Sequence, residues 1–183
     1  MRVLENAVLR LEPQLAAHAE AMFEVLGDPA IYLHENQPPP SLEWLRARFH
    51  RLESRWSPDR TQQWLNWVIR LPSSELVGYV QATVDGSHRA AIAYGLNSRY
   101  WGRGLASSAV RLMVTELVAG HAVATLNAVL KRSNLRSRRL LERMDFAPAS
   151  PEQHQALDAG ADELLMLRAA ATASPGCGSG EAD

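Results

Sequence analysis

Six consecutive residues, Arg99-Tyr100-Trp101-Gly102-Arg103-Gly104, carry the densest chemical signal in this chain. They separate a stretch of alternating apolar residues from one with helical spacing, so they belong to the loop that starts a helix. Backbone N–H groups at such a place converge and carry the positive end of the helix dipole, which suits an anion such as a pyrophosphate. Gly102 and Gly104 permit positive φ and close approach of the backbone to a ligand, and Arg99 and Arg103 add charge. Leu105 begins the helix, while Ala106 and Ser107 keep its first turn small. Taken alone, two glycines in such a loop are equally well a tight turn. The Gly-Lys-Ser/Thr ending of a P-loop is absent, as is a three-glycine dinucleotide motif in an early strand–helix–strand unit.

A second group lies about 30 residues further on. Offsets of three and seven place Asn134, Ser137 and Leu141 on one face of a helix, where two polar side chains meet a ligand above an apolar one. The plainer reading is that Asn134 only caps the helix.

The elements that must hold these groups follow from periodicity. Residues 8–11 form a short strand and residues 15–26 a helix that stops at Gly27. Ser41 caps a second helix to about residue 54, with Leu42, Leu45, Phe49 and Leu52 in one stripe. The loop 29–40 between them contains three consecutive prolines and cannot be helical. Period-two segments at 64–70, 76–84 and 90–96, with turns at 72–74 and 85–87, predict an antiparallel meander. A helix at 105–118, capped by Gly120, leads into a strand at 122–130, which implies a right-handed crossover and a parallel pair. A helix at 134–144 and a short strand at 163–167 complete a mixed α/β fold. Residues 1–170 read as one domain and 171–183 as a disordered tail.

With both groups in this order on these elements, the chain resembles the GNAT superfamily of N-acetyltransferases. The family signature of Gln or Arg, two residues, Gly, one residue, Gly or Ala is matched by Arg99, Gly102 and Gly104. The Tyr-Trp-Gly-Arg-Gly of residues 100–104 is similar to the Rim-type subgroup, the ribosomal-protein N-terminal acetyltransferases. The family's later helix reads Asn, two residues, Ser or Ala, then a hydrophobic run ending in Gly-Phe, with which Asn134, Ser137, Leu140, Leu141, Met144 and Phe146 stand in register.

The resemblance covers roughly residues 8–168. It implies the GNAT fold, a mostly antiparallel mixed sheet flanked by helices, with a parallel strand–helix–strand unit at the acyl-CoA site. It also implies acetyl-CoA as cosubstrate and no metal. The pyrophosphate would lie on Arg99, Gly102, Arg103, Gly104, Leu105 and Ala106, and the pantetheine arm on Asn134 and Ser137. The third meander strand would splay from its parallel neighbour, so that Tyr94, Leu96 and Asn97 line a tunnel and backbone N–H near Leu96 and Asn97 meets the oxyanion. Two departures stand out. Leu141 replaces the tyrosine acid of many members, which leaves Ser137 as the catalytic hydroxyl that Rim-type relatives suggest, and Asp145 replaces the usual glycine before Phe146.

Acyl transfer to an amine requires a neutral amine, hence a proton acceptor and an orienting pocket. His34 and Glu35, in the loop 29–40, occupy the acceptor region of relatives. Glu35 is expected as the catalytic base, with His34, Trp44 and Tyr94 as further substrate contacts and Trp64 and Trp67 as additional walls. Each has a plainer reading as a solvated loop group or a core aromatic. The single cysteine, Cys177, sits in the tail, so a thiol nucleophile is not expected, and a disulfide framework within the chain and a cysteine-based metal site are excluded. Direct attack in a ternary complex is the expected route.

At 46% hydrophobic, 21% charged and a net charge of −1, the composition is that of a globular chain without the basic surface that nucleic acid demands. No spanning segment or leader pattern is present, so no membrane partner and a cytoplasmic location are expected. The acceptor is a small-molecule amine or a protein N-terminus, and a homodimer is left open. Two other readings are a GNAT-like module that holds acyl-CoA without turnover, and transfer to aminoacyl-tRNA, which the neutral charge balance disfavours.

Overall fold

The computed structural model describes residues 1–34, 36–157 and 159–170, so Glu35 and the expected tail at 171–183 lie outside the described residues. The elements are β1 (Leu4–Glu5), β2 (Arg10–Pro13), α1 (Ala19–Leu26), α2 (Leu42–Leu52), β3 (Gln62–Arg70), β4 (Leu76–Asp85) and β5 (Arg89–Leu96). They continue with α3 (Leu105–His121), β6 (Thr125–Lys131), α4 (Leu135–Glu142), β7 (Ala147–Pro148), α5 (Pro151–Ala156) and β8 (Glu163–Ala169). The eight strands form one sheet in the order β1-β2-β3-β4-β5-β6-β8-β7, antiparallel throughout except for the β5–β6 pair. The meander and the parallel crossover expected from periodicity are both present.

Alternation along β3 divides the apolar residues between two cores. Leu65, Trp67 and Ile69 face α3 and pack in a cluster with Met113 and Leu117. Val68 faces the other way, onto Met22 of α1 and Leu45 and Phe49 of α2. Burying each such aliphatic side chain contributes about 1.5–3 kcal/mol, so both helical layers are held by the pleat of one strand.

Element ends differ from the expectations where backbone chemistry overrides the period. Residues 16–18 form a 3-10 turn before α1, and Pro29–Tyr32 forms another inside the supposed loop. Asp28 caps the second by accepting from Ala30 N–H, with Pro29 at its first position, a start signal legible in Asp-Pro itself. Helix α3 runs through Gly120 to His121, and Ala122, not Gly120, adopts the left-handed cap at φ 52°. Gly120 instead leaves room for the Glu116 carboxylate, which pairs with Arg2 at 2.6 Å. The strand expected from 122 accordingly starts at Thr125. Strands β1 and β7 and helix α5 were not anticipated, although Ser150 and Gln153 form a capping box for α5, with Pro151 at its first position.

Two features prepare the end of β5. Strand β4 bulges at Val77, because Ile69 pairs with Gly78 while Arg70 pairs with Leu76. Gly78 is required there, since a Cβ would fall 2.2 Å from the Gly95 carbonyl oxygen. Asp28 then ties the chain after α1 to the chain after β5 by accepting from Ser98 N–H at 2.6 Å. Burial alone would raise this carboxyl, but the hydrogen bonds from Ser98 and Ala30 and the charge of Arg99 hold it below the usual aspartate value.

Two outcomes follow. Because Asp145 sits at φ 63°, Asp145→Gly should raise stability by about 0.5–1 kcal/mol, read as a rise in the denaturation midpoint at constant slope. The depressed Asp28 carboxyl stabilises the fold above its unfolded pKa of about 4 and loses that contribution as pH falls through the lower folded value. Asp28→Asn should therefore cost stability at pH 7 and flatten the acid limb of a stability–pH curve measured between pH 6 and pH 2.

Candidate active site

The parallel pair is short. Only Arg89, Ala90 and Ala91 of β5 pair with Thr125, Leu126 and Asn127 of β6, after which the strands part. Asn97 N–H donates to Val77 O at 2.9 Å, toward β4, and His88 O accepts from Ala124 N–H, toward β6. The alternation of a strand therefore turns the N–H groups of Tyr94 and Leu96 toward the parting.

Three contacts frame this opening. The Tyr94 hydroxyl lies 2.8 Å from Ser137 Oγ and 3.3 Å from Ser137 O, joining β5 to α4. Burial pushes the Tyr94 phenol up to about 12, against the opposing pull of the Ser137 hydrogen bond and the Arg143 charge, so it keeps its proton at neutral pH. The Trp101 indole donates to Leu96 O at 2.7 Å and fastens the cradle loop to the end of β5. On the outer side of that indole, the Arg136 guanidinium of α4 stacks 3.7 Å from the ring centroid.

The cradle itself has the conformation its glycines allow. Gly102 and Gly104 both have φ of 75°, and a Cβ on either would meet no protein atom within 4 Å. Crowding within the fold therefore does not select glycine here; backbone conformation does, and the space beside each Cα is free for a ligand. Gly104 is the N-cap of α3 and brings no side-chain cap, so the first-turn N–H groups at Leu105, Ala106 and Ser107 have no intrahelical acceptor. Exposed Arg99 and Arg103 flank them, Arg103 lying over the Tyr100 ring.

Asn134 caps α4 by accepting from Ser137 N–H at 3.1 Å, and its Nδ2 makes no hydrogen bond among the described residues. Leu141 is 1% exposed and packs in the core, below the face that carries Ser137. Asn97 departs from its expected part. Its N–H is taken by Val77 O, its Nδ2 donates to Val25 O and its Oδ1 accepts from Arg99 N–H, which makes it a brace between α1, β4 and the cradle. Of the two expected oxyanion donors, Leu96 alone has an N–H aimed at the parting.

The loop after α1 comes to the same place from the other side, since His34 Nδ1 lies 3.2 Å from Ser133 Oγ, just before α4. The tryptophans scatter. Trp67 is fully buried, with its indole bonded to Arg2 O, and is core rather than wall. Trp44 is 43% exposed on α2 with Arg48 over its ring, while Trp64 is half-buried beside a separate cleft. The Tyr94–Ser137 bond, the Trp101–Arg136 stack and the Asp28 anchor were not anticipated. A family-like spacing places residues on elements but does not say which hydroxyls meet. Among the described residues no cluster of His, Cys, Asp and Glu could hold a metal, and no helix is long and apolar enough to cross a membrane.

Comparison with solved structures places this arrangement in a known fold. RimL, a ribosomal L7/L12 α-N-protein acetyltransferase in complex with coenzyme A, superposes with a TM-score of 0.77 at 16% identity, covering 92% of this chain and 98% of that one. A ribosomal-protein-S5-alanine acetyltransferase from Vibrio fischeri gives 0.76 at 14% identity over 96% and 100%. The microcin C7 self-immunity acetyltransferase MccE, in complex with acetyl-CoA and AMP, gives 0.73 at 15% identity over 90% and 94%. No curated protein sequence matches the chain. At these identities the likeness is one of fold, and Rim-type proteins are among those that share it. The decisive match is in sequence, because the model of the acetyltransferase (GNAT) domain aligns with residues 9–147 and so takes in β5, the cradle and α4. This chain belongs to the GNAT acetyltransferase family.

Proposed function

We propose that the protein is an N-acetyltransferase that carries an acetyl group from acetyl-CoA to a primary amine by direct attack in a ternary complex. The observation that carries this reading is the parting of β5 and β6 beyond Ala91 and Asn127, with a glycine cradle and an uncapped helix start beside it. An extended pantetheine arm can pair with β5 there, while its pyrophosphate meets the N–H groups of α3. The free Asn134 Nδ2 and the Arg136 guanidinium held by Trp101 are further donors for the same ligand.

The chemistry asks three things of the chain. Leu96 N–H stabilises negative charge developing on the thioester oxygen. Ser137, supported by a Tyr94 hydroxyl that stays protonated, donates a hydrogen bond toward the departing sulfur. A proton acceptor must free the amine, and Glu35 is proposed for it; its chain neighbour His34 is tethered at Ser133, beside the first turn of α4. The acceptor is a small-molecule amine or a protein N-terminus, and the setting is cytoplasmic.

Release of free thiol from acetyl-CoA with a panel of primary amines tests the reading directly. Thiol release above background is expected with at least one amine, whereas tight acetyl-CoA binding with no turnover on any amine would leave a binding module instead. On a reactive amine, Ser137→Ala should lower kcat about 10–100-fold with little change in the KM for acetyl-CoA, and Tyr94→Phe should lower it less. Gly104→Ala should weaken acetyl-CoA binding about tenfold or more in calorimetry while costing only about 1 kcal/mol of stability, because the new methyl group meets ligand space and not protein.

A further inference from the structure

A cleft of about 610 Å³ opens between the last turns of α2 and strands β3 and β4, on the sheet face opposite α3. Its lining includes Arg48, Arg51 and Arg60 and no acidic side chain, in a chain whose net charge is −1. None of the three arginines forms an ion pair among the described residues; Arg48 lies over the Trp44 ring instead. The carboxylates nearest in sequence are engaged elsewhere. Glu53 accepts from Ala16 N–H and faces His50, Asp59 accepts from Ser57 and Thr61, and Asp85 pairs with Arg89. Trp56 and Trp64 supply flat apolar walls, and Asn66 and Gln81 supply amides. Guanidinium groups beside indole rings suit a ligand with an anionic group on a planar body.

The cleft also leads somewhere. Gln81 and Thr83 pair with Ala93 and Ala91 of β5, and Ala91 is the last β5 residue that pairs with β6. Ala91 and Ala93 are exposed, so between the cleft and the parting the sheet surface carries only methyl groups. We propose that the cleft holds the anionic, planar end of the acceptor and delivers its amine across Ala91 and Ala93 to the thioester. The acceptor class is then a primary amine bearing a phosphate or carboxylate on a flat ring. This rests on the N-acetyltransferase reading above, and the experiment separates the two.

The probe is phenyl phosphate, followed by tryptophan fluorescence in the presence of saturating coenzyme A so that the cradle is filled. The comparison is with the double variant Arg51→Gln, Arg60→Asn; asparagine suits the left-handed backbone of Arg60, at φ 58°. Wild-type protein should show saturable quenching that weakens with salt, and the variant should bind about tenfold more weakly or worse. In acetylation, tyramine O-phosphate should exceed tyramine in kcat/KM about tenfold in wild type and lose that advantage in the variant, with the KM for acetyl-CoA unchanged. Absent binding, equal binding by the variant, or equal kcat/KM for the two amines would overturn the cleft and leave acetyl transfer standing. Binding lost in the variant, with no amine acetylated at all, would keep the anion cleft and overturn the transferase reading instead.

Discussion

The structure turns on where one pair of parallel strands stops pairing. Between β5 and β6 the ladder runs for three residues and ends at Ala91 and Asn127. Leaving backbone N–H groups without a ladder partner costs free energy comparable to a lost hydrogen bond, so the surroundings must hold the opening in place. They do so at each corner. The Val77 bulge takes up Asn97 N–H, Trp101 fastens to Leu96 O, Asp28 grips Ser98 N–H, and Tyr94 reaches across to Ser137. Each of these contacts comes from a different element, so the parting is a property of the whole fold rather than of two strands.

Much of this was legible in the sequence, because its signals are local. Period-two runs in β4 and β5 come from strands with one face buried under α3 and the other more open, and the helix-start glycines at 102 and 104 do adopt the positive φ their placement suggested. Asp145 likewise takes the left-handed conformation usually given to glycine. What could not be read depends on three-dimensional meeting. Asn97 looked like a donor to the oxyanion, yet its N–H is taken by a bulge that arises from the β3–β4 register. Trp67 looked like a wall of the acceptor site, but the face it occupies on β3 is the one that α3 buries. Gly120 looked like a cap, and its real role, making room for Glu116, involves Arg2 more than a hundred residues away in sequence.

Charge illustrates the same limit. The net balance of −1 says nothing about where charges lie, and the acidic groups are largely spent on backbone donors and arginine partners. That leaves three arginines at the cleft without an ion pair among the described residues and two more flanking the cradle, so a nearly neutral chain presents two separate groups of arginines. A donor with a pyrophosphate and an acceptor with its own anionic group would be drawn to different sites and meet at the parting.

Amide proton exchange measured residue by residue by NMR, with and without acetyl-CoA, tests the central claim most directly. If the parted strand receives the pantetheine arm, the Tyr94 and Leu96 amides should exchange fast in the free protein and slow markedly on binding, together with the first-turn amides of α3. Protection confined to residues 102–107, with Tyr94 and Leu96 unchanged, would contradict it.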